Sequence, residues 1–314
     1  ISGSIGDVTV SDNSFLFDNS LSISGNNIVT TIANSSNFSE ASLGSKSYKI
    51  INNALNHTNA SSGVFSLSTN IETRQAIKNL QPLNAFNQEM LNISDNIANI
   101  ATLRLRKANN NKYKNGLWGK ILGGISNQKE VIDEGKKYNS NFGGILFGID
   151  RSINKNILLG GAISYNRVNI EGDDNSNDKN NINSYQLTIY NKNQNNVNSF
   201  YNENIISGSL NQYQTQRDII IGSFSEKVNG KFNGTSYFAK SSFGYNAKLL
   251  SNSNLSLTPN FAIKYFNSTQ DDYEETGSTT ARLKVSKQDY SNLFSEIGIS
   301  LSDNFIYEGY QFLQ

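Results

Sequence analysis

Few side chains in this 314-residue chain are equipped for chemistry. The sole histidine, His57, stands in ALNHTNASS. One histidine excludes multi-His metal sites and leaves a His-based triad a single candidate. With no readable partner beside it, it reads as a surface histidine. Cysteine is absent, which removes disulfide scaffolds and thiolate metal sites. Three acidic pairs, Asp173–Asp174, Asp271–Asp272 and Glu274–Glu275, have the residue types of a glycosidase pair or a loose Ca²⁺ site. All three fall in predicted loops, where solvated charge is the simpler reading. GLWGKILGG (116–124) and FGGILFG (142–148) are Gly-rich but lack a following helix and phosphate-loop spacing. Their glycines suit close strand packing and curvature. No basic stripe with interleaved aromatics points to nucleic acid. The expectation is a chain without enzymatic activity, metal or cofactor.

The elements that carry these residues read as a wall. Apolar residues make up 36% of the chain, below the roughly 45–50% of globular proteins counted with Gly. One apolar face per strand fits that better than a two-sided core. Lys+Arg 27 against Asp+Glu 26 leaves +1, with no overall pull toward anionic partners. Tyr 15 and Phe 17 favour strands and form the interfacial girdles of outer-membrane barrels. Only Pro82 and Pro259 interrupt. No run approaches the roughly 18 apolar residues of a membrane-spanning helix. The chain opens at Ile1 with no signal peptide, so the numbering is expected to start inside a longer protein.

Residues 1–69 are polar and Ser/Asn-rich. Short β-like pieces at Val8–Val10, Phe15–Phe17, Leu21–Ile23 and Ile28–Ile32 suggest an irregular or β-solenoid-like segment. Residues 70–114 read as a helical linker. NIETRQAIKNLQP (70–82) is a short helix that stops around Pro82. A second helix covers about 84–107. Phe86, Met90, Ile93, Ile97, Ile100 and then Leu103 recur at spacings of three and four, one helical stripe. Asn84 is the expected N-cap. Arg104, Arg106 and Lys107 complement the dipole in the last turn. Inside a polar barrel lumen, those arginines would pair wall carboxylates.

From Asn115 the period changes to two. Leu255, Leu257, Pro259, Phe261, Ile263 and Tyr265 alternate with mostly polar residues, a length a tilted membrane strand needs. The strands read as about 116–126, 138–150, 157–171, 181–193, 197–213, 234–250, 254–270, 282–302 and one beginning near 304. Connections alternate between tight (151–156, 251–254) and long and polar (171–181, 218–231, 271–281), as in outer-membrane barrels. The expected fold is all-β, an antiparallel transmembrane β-barrel over 115–314 with a pore-threading helix before it. Tyr113, Trp118, Tyr165 and Tyr265 are the expected membrane-interface aromatics.

GLWGKILGG (116–124), FGGILFGIDRSINKNILLGGAISY (142–165) and LTPNFAIKYFNSTQDDYEETGSTT (257–280) resemble the translocator region of type Va autotransporters, above all the rickettsial surface-antigen autotransporters. AIKNLQP (76–82) resembles the motif that precedes their pore helix. The resemblance covers roughly 70–314. It implies a twelve-stranded outer-membrane barrel, of which about nine strands are legible here. The expected terminal aromatic is replaced by Gln314. It also implies an N-terminal passenger, often an adhesin, with residues 1–69 as its end. The implied partners are outer-membrane lipid, the barrel-assembly machinery, periplasmic chaperones and, through the passenger, the host-cell surface. Some autotransporters cleave themselves at an Asn between helix and barrel; Asn96, Asn99, Asn109, Asn110 and Asn111 lie in that region. A porin-like or adhesive barrel without a passenger, or a fragment of a split autotransporter gene, are the alternatives.

Overall fold

The structure, a computed structural model, describes residues 14–24, 27–43, 45–56, 58–107, 115–129, 136–172, 177–194, 199–248, 256–278, 282–302, 304–307 and 310–313. His57, Asn109, Asn110, Asn111, Tyr113 and the Val8–Val10 piece lie outside the described residues.

The N-terminal part holds a hairpin and four helices. Strand β1 (Phe17–Ser24) pairs antiparallel with β2 (Asn27–Asn34). Helices α1 (Glu40–Leu43), α2 (Ser45–Leu55), α3 (Thr58–Phe65) and α4 (Asn70–Leu80) follow. Helix over 40–65 departs from the irregular or solenoid-like expectation. Ser and Asn are weak helix formers, so the local pattern is faint there. Tertiary packing decides it: Ile51, Ala54, Ala60 and Val64 bury with Ala76 and Ile77 of α4 in one apolar cluster. The start of α4 is doubly capped. Thr69 Oγ1 accepts from the Glu72 N–H at 3.1 Å, and the Glu72 carboxylate accepts from the Ser68 N–H at 2.7 Å. Those Ser68 bonds hold the Glu72 carboxyl below its ordinary value. The helix ends at Leu80, just before Pro82 as expected.

Helix α5 (Phe86–Lys107) is the long one. It begins two residues after Asn84; Ala85, whose carbonyl accepts from the Glu89 N–H at 3.1 Å, holds the position ahead of the first turn. Boundary shifts of this size are ordinary. Phe86, Met90, Ile93, Ile97 and Ile100 are buried, as the stripe requires. Leu103 is not on it: it is 51% exposed, and Ala101 and Leu105 continue the buried stripe instead.

The strands are β3 (Asn115–Gln128), β4 (Tyr138–Ser152), β5 (Ile157–Gly172), β6 (Lys179–Gln194), β7 (Phe200–Ile221), β8 (Phe224–Tyr245), the two-residue β9 (Ala247–Lys248), β10 (Ser256–Gln270), the small pair β11 (Tyr273–Glu274) and β12 (Lys284–Val285), and β13 (Gln288–Ser302). Beyond them β14 (Asn304–Tyr307) and β15 (Tyr310–Leu313) pair as a hairpin of their own. Eight strands form an up-and-down antiparallel path, β3-β4-β5-β6-β7-β8-β10-β13, each paired with its sequence neighbour. Among the described residues β3 and β13 are the two ends of that path. Helix α5 touches β5, β6, β7, β8 and β10. A sheet can reach one helix from five strands only by curling around it.

The alternation has a consistent sense. Leu117, Ile121, Ile145, Phe147, Ile163, Leu187, Ile206, Tyr237, Phe261 and Ile297 lie exposed on the convex face. Asn166, Ser184, Gln186, Thr188, Ser207, Asn211, Ser236 and Ser242 lie buried on the concave one. An exposed apolar outer face over an inner face carrying this many polar groups, beside the apolar residues that meet α5, is the pattern of a wall between lipid and a filled lumen.

One expected loop is strand. Residues 218–231, read as a long polar connection, extend β7 and β8 through a tight turn at Gly222–Ser223, with Ile221 opposite Phe224. Gly222, at φ +55°, supplies the left-handed backbone such a two-residue turn needs. The tip strands bury Ile219, Ile221, Phe224 and Val228 against α3 and α4. Charged Asp218, Glu226, Lys227 and Lys231 obscure that period-two signal in the sequence.

Candidate pore and the helix that fills it

The inner face of the sheet mixes polar side chains with an apolar seam, including Leu146, Ile205, Phe238 and Phe266, on which the stripe of α5 packs, and α5 is also tied to it by three charge clusters. The first is centred on Asp150 at the end of β4, whose side chain is fully buried. Arg104 donates to it through Nε at 2.9 Å and also through Nη2. Trp118 Nε1 donates to Asp150 Oδ1 at 3.1 Å, and the Tyr190 hydroxyl donates to the same oxygen. The Arg104 guanidinium lies 5.4 Å from the Trp118 ring centroid, a cation–π distance. The wall makes room for these rings with glycine. A Cβ at Gly148 would come 2.3 Å from Trp118, and one at Gly160 would come 2.1 Å from Tyr190.

The second cluster is centred on Glu203 of β7. Arg106 and Lys192 each approach its carboxylate at 3.5 Å. Lys192 also stands 4.8 Å from the Tyr201 ring centroid. In the third, Asp95 of α5 pairs with Lys264 of β10 at 2.8 Å. Lys264 holds Glu296 of β13 at 2.8 Å, and Lys240 of β8 stands 3.7 Å from Glu296. Carboxylates and cations thus alternate between helix and wall. Buried charge is tolerable only when paired in this way.

The other end of α5 is held by aromatics and amides. Phe86 packs edge-on to Tyr213 (4.9 Å) and Phe232 (5.5 Å), and Phe232 stacks on Tyr273 at 4.2 Å. Asn180 Nδ2 donates to the Leu83 carbonyl at 2.8 Å. Gln270 Nε2 donates to Asn87 Oδ1 at 2.9 Å. Arg217 closes the C-terminus of α4, donating to the Leu80 carbonyl at 2.9 Å while pairing with Glu275 at 2.7 Å. The helix therefore runs from the β7–β8 hairpin side, where α4 sits, to the side of the tight turn 153–156 beside Asp150.

The structure places the sequence-chosen residues unevenly. Phe86, Met90, Ile93, Ile97, Ile100, Arg104 and Arg106 converge on the lumen. Trp118 is a correction: it stands on the inner face against Asp150 and Arg104, not at a lipid interface. Its position follows from parity, since Leu117 and Ile121 take the outer face of β3 and even-numbered residues turn inward. Tyr165 and Tyr265 are on the outer face, Tyr165 ring-paired with Tyr185 at 5.2 Å. Asn96 is half-buried and Asn99 exposed, both within the unbroken helix. Glu275 is a second correction, a buried ion-pair member and not solvated loop charge. Asp150, Lys192, Glu203, Lys264 and Glu296 were missed. Their signal was a charge on the polar parity of a strand, which singles out lumen charge but not its partner.

Residues 117–312 match the family model described as the autotransporter beta-domain. Outer membrane protein B of Rickettsia prowazekii (strain Madrid E) is 23% identical over 201 residues, 62% of this chain and 12% of that protein. Putative surface cell antigen sca1 of Rickettsia conorii is 28% identical over 192 residues, 60% of this chain and 10% of that protein. The matched region thus spans about a tenth of the length of these relatives. Among solved structures, the translocator domain of autotransporter NalP from Neisseria meningitidis aligns with a TM-score of 0.51 at 17% identity, covering 68% of this chain and 72% of that one. At that identity the likeness speaks for the fold alone.

Proposed function

The chain belongs to the autotransporter β-domain family, translocators of the bacterial outer membrane, and from that premise we propose that it passes its own N-terminal passenger to the cell surface and then anchors it by keeping α5 in the pore. The observation that carries this is the seating of α5. Its apolar stripe and its arginines both meet the lumen wall, with Arg104 on Asp150 and Arg106 on Glu203. A lumen filled in this way fits a transported chain that has stopped, and it argues against a freely open porin.

The direction follows from the connections. Tight turns mark the periplasmic end of outer-membrane barrels and longer ones the outside. The connections at the Asp150 end, 153–156 and 195–199, are short; at the opposite end 129–137 and 271–287 are longer, and β7 and β8 run on past their neighbours before their two-residue turn. Arg104 lies at the short-connection end and Phe86 at the other, so everything upstream of α5 emerges outside. Residues 1–69 are then the surface-side end of the passenger, an adhesin or surface antigen that meets the host cell. The proposed partners during assembly are outer-membrane lipid, periplasmic chaperones and the barrel-assembly machinery; nucleic acid has no part in it. The proposed role is transport and anchoring, without a catalytic step. Asn96 and Asn99 sit inside helical turns, a setting that offers passenger release no ready geometry.

The test is an epitope inserted ahead of Ile1 in the complete gene product, followed by protease shaving of intact cells. Surface exposure of the epitope, lost when 115–302 is deleted, is the expected result. A barrel that inserts while its epitope stays in the periplasm would refute the proposal.

A further inference from the structure

Near the tight turn 153–156 the convex face carries a polar interruption that the transport role leaves unexplained. Across β5 to β10 two adjacent outward rows run along the strand pairing. The first is Leu159, Asn191, Asn204, Ser241, Ile263, and the second is Ile157, Asn193, Asn202, Phe243, Phe261. The row next to them on one side is apolar through Ile189 and Ile206. On the other side Phe200 faces Tyr245, rings 4.7 Å apart. Four asparagines and a serine are therefore bordered by Leu159 and Ile157 on β5, by Ile263, Phe243 and Phe261 on the far side, by Ile189 and Ile206 along the strands, and at β7–β8 by Phe200 and Tyr245, in the half of the wall nearer the tight turn 153–156.

Polar groups on a lipid-facing wall are costly in proportion to their depth. Part of the patch answers this internally. Asn204 Nδ2 donates to Asn202 Oδ1, Asn202 Nδ2 donates to the Ser242 carbonyl at 3.1 Å, and Ser241 Oγ donates to Asn204 Oδ1 at 2.8 Å. Asn191, half-buried, and Asn193, exposed, make no side-chain hydrogen bond among the described residues. Cationic residues border the same region. Arg151 is exposed, pairs with Leu159 and so lies two strands from Asn191; exposed Lys155 is in the turn whose Asn156 carbonyl accepts from the Gln194 N–H at 2.8 Å.

We infer that this notch, Asn191, Asn193, Asn202, Asn204 and Ser241, seats the headgroup of an inner-leaflet phospholipid. The amide N–H groups donate to phosphate and ester oxygens, and Arg151 and Lys155 at the rim supply the positive charge that an anionic phosphate needs. The bilayer dips locally at β6–β7 as a result. This rests on the reading of the sheet as an outer-membrane wall.

The chain contains no cysteine, so a single introduced thiol can carry a fluorophore at a chosen place. The full chain is reconstituted in phosphatidylethanolamine–phosphatidylglycerol vesicles with the label at Leu159→Cys, directly opposite Asn191, or at Phe261→Cys, one strand beyond the Ser241 edge and opposite Phe243. Quenchers are placed on lipid headgroups or on acyl chains. The label at 159 is expected to be quenched more by headgroups, and the label at 261 by acyl chains. In the variant Asn191→Leu/Asn193→Val/Asn202→Leu/Asn204→Ile the preference at 159 inverts toward acyl chains. Acyl-chain quenching at 159 with the asparagines intact overturns the proposal. So does cross-linking of labelled chains into a dimer across the notch, which would make a second copy the occupant. If the label at 261 is reached by neither quencher in folded protein, the wall itself is misread, a failure distinct from that of the notch.

Discussion

Removing Arg104 should cost more than any exposed charge in this chain, and the reason is Asp150. The Asp150 side chain is fully buried, while that of Arg104 is 20% exposed. Arg104→Ala leaves the carboxylate in place with two neutral donors, the Trp118 indole and the Tyr190 hydroxyl. Breaking a buried ion pair by deleting one member costs about 3–5 kcal/mol. The two surviving hydrogen bonds and the partial solvation of Arg104 lower that to about 2–3 kcal/mol. Asp150→Asn removes the charge instead, so the double variant should be less destabilised than the sum of the singles, by about 1–2 kcal/mol of coupling. The assay is urea unfolding of the reconstituted chain across that double-mutant cycle. Trp118 is the only tryptophan in the sequence and touches both partners, so its emission reports the cluster directly. If Arg104→Ala falls within the roughly ±0.5 kcal/mol of an ordinary surface substitution, with unchanged Trp118 emission, the helix is not held as described.

Gly160→Ala should destabilise by about 1–3 kcal/mol, because the new methyl overlaps the Tyr190 ring. Gly143→Ala on β4, where a Cβ meets nothing within 4 Å, should be neutral or slightly stabilising, and equal effects at both sites in thermal unfolding would contradict the packing argument. Arg217→Ala frees the carbonyls of Asn79 and Leu80 and leaves the buried Glu275 without its cation, with the Leu283 N–H still donating to its carboxylate at 2.8 Å. Limited proteolysis should then cut within 81–85 faster than in the parent chain. The Glu72 carboxyl titrates below its ordinary 4.5 in the folded chain, chiefly through the Ser68 N–H. A depressed folded value stabilises above the unfolded one, and that contribution is lost as pH falls through the folded value. The protection of the first-turn amides of α4, taken relative to their intrinsic exchange rates, should therefore fall as pH drops below about 4.5, and Glu72→Gln should abolish that pH dependence.

The sequence by itself determined the period of each element. Residues 84–107 carry a three-four stripe and the strands from Asn115 carry a period of two, and both signals are local because backbone geometry sets them. It also determined which face of each strand is polar, hence a wall with a wet side, since the apolar parity of Leu187 or Phe261 can be read without knowing any neighbour. Partnership was decided only by tertiary structure. Asp150 meets Arg104, 46 residues earlier, and Lys264 meets Asp95 across 169 residues, distances over which no local pattern is informative. Trp118 shows the same limit on a single strand. Its residue type suggested an interface anchor, yet the parity of Leu117 and Ile121 turned it inward, where the buried carboxylate of Asp150 and the space left by Gly148 receive it. The helices over 40–65 and the long β7–β8 hairpin formed for a comparable reason. Each has weak or masked local preference, and each becomes stable only by burying its apolar residues against the other.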